Sequence, residues 1–86
     1  MLNAVKQTGR TLATLEPGES GTVGTIMFGA LRALCADIGI SEGVGVRCRA
    51  GTGGVLVLDT ADGRTVSMAR DWARFIHLLP VELAGN

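Results

Sequence analysis

Apolar residues fall into two rhythms along this chain. From Ala30 to Ile38 they recur at Leu31, Leu34, Cys35 and Ile38, the i, i+3, i+4, i+7 spacing of one helical face, with Arg32 and Asp37 turned away from it. Gly39 sits where a left-handed residue ends such a helix, and Ile40 is placed to fold back onto Leu34 and Cys35. The start of the helix is weakly marked, because Gly29 caps poorly beside Ser or Asp.

Elsewhere the pattern is that of short strands. Thr11–Leu15 reads as a strand that ends at Glu16-Pro17-Gly18-Glu19, where Pro fixes φ and Gly supplies the positive φ of a type II turn. Ser20–Ile26 follows as a second strand with Val23 inward. After a turn at Ser41-Glu42-Gly43, Val44, Val46 and Cys48 alternate with Gly45, Arg47 and Arg49, the period of a half-buried strand. Gly51-Thr52-Gly53-Gly54 reads as a flexible loop, and Val55–Leu58 as a buried strand. Asp62-Gly63 marks a hairpin turn, with Arg64–Met68 returning beside it and Val66 and Met68 inward. A short helix then spans about Ala69–Phe75. His77–Val81 closes as a last strand, confined to an edge or a strand end by Pro80. The expected architecture is mainly β: a small, partly open barrel of about five strands, with a helix inserted after the second strand and a short helix before the last.

Composition narrows this further. At 86 residues the chain holds one domain, expected over 11–83, with a loose lead-in at 1–10 and a tail at 84–86. Hydrophobic residues make up 47% but aromatics only 3%, so the core rests on Leu, Ile, Val and Ala. Eight Lys+Arg balance eight Asp+Glu, which argues against a nucleic-acid partner. Two cysteines are too few for a disulfide framework. With no signal-like or membrane-spanning run, the chain reads as a cytoplasmic protein that does not insert into a membrane.

Three segments carry a resemblance. Leu15-Glu16-Pro17-Gly18-Glu19-Ser20-Gly21-Thr22-Val23 looks like the opening of the FeoA family, small cytoplasmic proteins of bacterial ferrous-iron uptake. The stretch from Leu31 to Val46 is similar to that family's helix, Gly stop and following strand, although Glu42 stands where the family commonly has Pro. Thr65–Ala73 resembles its final hairpin strand and the short helix after it. The resemblance covers about residues 11–81. It implies an SH3-like barrel, no enzymatic activity or cofactor of its own, a role in handling a transition metal, and a partner: the FeoB-type GTP-hydrolysing ferrous-iron permease. A related domain ends iron-dependent repressors, so the alternative is a metal-responsive regulatory module.

Candidate chemistry is sparse. Cys35, Cys48 and His77, with Asp37, are the available metal ligands, but no pair has a recognised ligand spacing, and the two thiols fall on inward faces. No nucleophile motif is present, and the Gly51–Gly54 loop lacks a phosphate-loop lysine. Arg47, Arg49, Arg64, Arg70 and Arg74 form either a solvated barrel face or a basic patch for an acidic partner. The informative apolar feature is Met27-Phe28 in the strand-to-helix loop. With Leu31 and Arg32 these residues are the candidate partner-binding surface. Whether the chain self-associates is left open.

Overall fold

The computed structural model describes residues 10–80. Five strands, β1 (Ser20–Ile26), β2 (Gly45–Thr52), β3 (Val55–Thr60), β4 (Thr65–Ala69) and β5 (Ile76–Leu78), form one sheet in the order β4-β3-β2-β1-β5. Every pairing is antiparallel. Helix α1 (Gly29–Asp37) joins β1 to β2, and the single turn α2 (Arg70–Ala73) joins β4 to β5. Among the described residues no helix is long and apolar enough to cross a membrane.

One strand changes character. Thr11–Leu15 is a 3-10 turn at Leu12–Thr14, not a strand, so α1 follows the first strand of the sheet instead of the second. The physical reason is that Leu12 and Leu15 both enter the core. Residues three apart share a face in a 3-10 turn but lie on opposite faces of a strand. Only Thr11 retains a bridge, to His77. The turn after it forms as expected: Glu19 N–H donates to Glu16 O at 2.8 Å, and Gly18 has φ of 93°.

The Gly-rich stretch is also more ordered than its composition suggests. β2 continues through Gly51 and Thr52, pairing with Leu56 and Val55, and only Gly53-Gly54 turn the chain. The register shifts between Cys48 and Ala50, a bulge at Arg49 that re-aims the end of β2. Arg70 holds this corner by donating to Gly53 O at 3.1 Å and to Ala13 O at 2.9 Å, tying α2 to the turn and to the 3-10 segment. The last strand is shorter than expected, Ile76–Leu78: Leu79 N–H still reaches Thr22 O of β1, and Pro80, with no N–H to donate, ends the pairing. Val81, the lead-in 1–9 and the tail 84–86 lie outside the described residues.

The core is aliphatic. Leu12, Leu15, Val23, Ile26, Ile40, Leu56, Leu58 and Ile76 are fully buried, with both thiols among them. The β3–β4 turn is held by Asp62, whose carboxylate accepts from Arg64 and from the Thr60 hydroxyl. The Arg64 guanidinium first, and Thr60 second, hold that carboxyl down at about 2.

Candidate functional site

Helix α1 lies at the side of the barrel, and its seating defines the site. Leu31 and Cys35, one turn apart, are buried, and Ile38 is half-buried. Leu34 is not: it is 57% exposed. The helix docks along the i, i+4, i+7 line, so Leu34 stands on the shoulder of the apolar face and not in the core. The sequence expectation that all four residues pack inward is corrected here. The C-terminal stop holds, because Ile40 N–H reaches Cys35 O at 2.8 Å and Gly39 N–H reaches Ala36 O at 3.2 Å. This is the pairing in which Gly39, at φ 88°, takes the left-handed position.

Between α1 and the β4–α2 junction runs an apolar groove of about 260 Å³. Leu31, Cys35 and Met68 line its depth, and Leu34, Ile38 and Trp72 its sides. Trp72 is 51% exposed, although its spacing from Met68 and Phe75 suggests a shared buried face. α2 lasts only one turn, too short to carry that face around. Sequence reasoning therefore missed Leu34 as a surface residue and gave Trp72 no role. The usable signal was the brevity of α2, bounded by β4 before it and by Ile76 of β5 after it.

The four residues expected to bind a partner gather at the N-terminal end of α1. Met27 and Phe28 are both about half-exposed. The Phe28 ring meets Phe75 edge-on at 5.1 Å between centroids, and Arg74 lies over the other aromatic partner, Phe75, at 5.3 Å. Met27 Sδ lies 3.3 Å from His77 Nε2. Leu31 does not belong to this surface: it is buried and lines the groove depth, which corrects the expectation that it is exposed to a partner. Arg32 is exposed at its side chain but tied down, donating to Ile26 O at 3.0 Å and facing Glu42 at 3.5 Å. Glu42 also accepts the Ile26 N–H at 3.0 Å, so the 41–43 turn braces both the end of β1 and the start of α1. Exposed apolar side chains thus stand in two groups, Met27 and Phe28 against His77 and Phe75, and Leu34 and Trp72 along the groove.

The remaining candidates are dispersed. Cys35 and Cys48 are free, buried core thiols, and burial pushes the Cys35 thiol up. Cys48 Sγ faces its own strand, 3.5 Å from Ala50 O. Among the described residues no three His, Cys, Asp or Glu side chains gather at one point. The arginines are distributed as well: Arg49 pairs with Asp59 at 3.0 Å and Arg64 with Asp62 at 2.8 Å. Exposed pairs of this kind set local geometry more than stability.

No protein-family model and no curated protein matches the sequence. Solved structures do resemble the fold. A FeoA-like protein from Clostridium acetobutylicum aligns over 92% of this chain and 94% of its own, at 20% identity and a TM-score of 0.75. An iron uptake regulatory protein, FeoA, aligns over 81% of this chain and 93% of its own, at 18% identity and a TM-score of 0.72. A manganese-dependent transcriptional repressor in complex with manganese reaches 26% identity and a TM-score of 0.75. The alignment covers 84% of this chain but only 36% of that repressor. The architecture of this chain is accordingly the SH3-like fold of FeoA and FeoA-like proteins.

Proposed function

We propose that this chain is a small accessory protein of ferrous-iron uptake that works by binding a FeoB-type permease at its cytoplasmic side. The observation that carries this reading is the pairing of a FeoA-type fold over nearly the whole chain with an exposed apolar surface. Met27, Phe28, Leu34 and Trp72 are each about half accessible to solvent. Several large apolar side chains left exposed on so small a protein suit a protein contact. Aromatic residues are the usual anchors of such contacts, which singles out Phe28 and Trp72. Arg32, fixed by Glu42 and Ile26, would stand at the rim. No catalytic or cofactor role is assigned to any residue.

The test is direct binding between the purified chain and the cytoplasmic GTP-hydrolysing domain of such a permease. Phe28→Ala and Trp72→Ala should each weaken binding by about tenfold or more. Val55→Ala, at an exposed apolar position at the start of β3, should leave it unchanged. Absence of binding at about 100 μM would overturn the proposal.

The likeness to the manganese-dependent repressor supports a second reading, a regulatory module that responds to a metal. The two separate in one experiment. A regulatory module would bind a divalent cation or a repressor-type domain and ignore the permease.

A further inference from the structure

We propose that β4 is the contact through which two copies of this chain associate, edge to edge, about a two-fold axis at Ser67. The hydrogen-bond register leads to it. At the two ends of the β3–β4 hairpin, Thr60 N–H donates to Arg64 O and Arg70 N–H donates to Gly54 O, both at 2.8 Å. These contacts fall in the same register as Leu58↔Val66 and Leu56↔Met68. In an antiparallel ladder, hydrogen-bonded pairs recur at every second residue. Val66 and Met68 therefore spend their backbone groups on β3. Thr65 and Ser67 aim their N–H and C=O groups the other way, toward the end of the sheet, and Ala69 its N–H, while its C=O caps α2. Among the described residues no backbone group answers them.

An open edge of this kind is either guarded or used. The opposite edge is guarded. β5 has three residues, pairs with β1 through a shifted register, is bridged by Thr11, and is followed by Pro80. β4 has none of these devices. Its five residues, Thr65-Val66-Ser67-Met68-Ala69, carry no charge and no Pro, and its register on β3 runs without a bulge.

The occupant is a second copy because the edge is its own complement. An antiparallel mate centred on Ser67 sets Thr65 against Ala69 of the second copy and Ser67 against Ser67. The edge groups of Ser67, the Thr65 C=O and the Ala69 N–H then find partners on both edges. A formal net charge of zero means that two copies approach without net repulsion. This register also places Arg64 opposite Arg70 of the second copy. Each guanidinium is already held within its own chain: Arg64 on Asp62 and on Asp37 O at 3.1 Å, Arg70 on Gly53 O and Ala13 O. Ser67 and Ala69 also border the groove of Leu34 and Trp72, so a second copy at the edge covers exposed apolar surface as well.

Sedimentation of the pure chain, from about 1 μM to about 1 mM, tests this without any permease present. The mass should rise toward twice the 8.9 kDa of one chain. Ser67→Pro removes the central edge N–H and should raise the dissociation constant by about tenfold or more. Should Ser67→Pro disturb folding by circular dichroism, Ser67→Lys decides, since it keeps the N–H and sets two like charges face to face on the axis. A chain that stays monomeric throughout overturns the proposal, as does a dimer that both folded variants leave intact.

Discussion

Leu58→Ala is expected to lower the free energy of unfolding by about 2–5 kcal/mol, while Leu34→Ala costs less than about 1 kcal/mol. Both remove the same atoms from residues that look alike in the sequence. Leu58 is fully buried in the middle of β3, opposite Cys48 on one side and Val66 on the other. Paired strands on both flanks keep the surroundings from closing over the space, so the loss of burial and the cavity add. Leu34 is 57% exposed, and truncating it returns little surface to water. Urea unfolding of the two variants measures the contrast. Equal losses would mean that α1 packs by a different face. For a domain of this size, whose whole stability is about 5–15 kcal/mol, the larger loss threatens folding itself.

Gly39→Ala is expected to destabilise by about 1–2 kcal/mol through backbone conformation alone, because φ is 88° there and an L side chain crowds the next carbonyl. A second effect adds to it. A Cβ at this position would lie 2.8 Å from Arg64 Nη2 and 3.0 Å from the Asp62 carboxylate. Arg64 must move, and with it the bond from its guanidinium to Asp37 O, which ties the end of α1 to the β3–β4 turn. Gly43→Ala is the matched comparison, since φ is 91° there and nothing lies within 4 Å of the added carbon. Thermal unfolding should rank Gly39→Ala below Gly43→Ala. The reverse order would mean that the Arg64 bridge contributes nothing to holding α1.

What could be read from the sequence was the chemistry that acts over a few residues. Pro17-Gly18, Gly39 and Asp62-Gly63 each specify a backbone conformation with little help from elsewhere, and each forms the turn or stop its residues require. Alternation likewise places Val46 and Cys48 inward and Arg47 and Arg49 outward. Failures came where a distant partner decides. Thr11–Leu15 carries apolar residues that suit a strand in composition, yet the spacing of Leu12 and Leu15 by three belongs to a tighter coil. Gly51 and Thr52 look like loop but are held straight by Leu56 and Val55 across the hairpin. For the candidate surface, the sequence shows that Leu34 and Trp72 are apolar, not which side of them water reaches. That depends on how far α1 stands from β4, a distance no local pattern encodes.

β1 has one further consequence. Ser20–Thr22 pair with β2, and Val23 and Ile26 pair with β5, the register shifting between those two residues. Gly24 makes the crossing passable, since a Cβ there would come within 3.2 Å of His77 O. The same seven residues are thus ladder to both flanks of the barrel. Neither flank can be peeled away while the other keeps its template intact. Amide protection on β2 and on β5 is therefore expected to fall together, which hydrogen exchange measures.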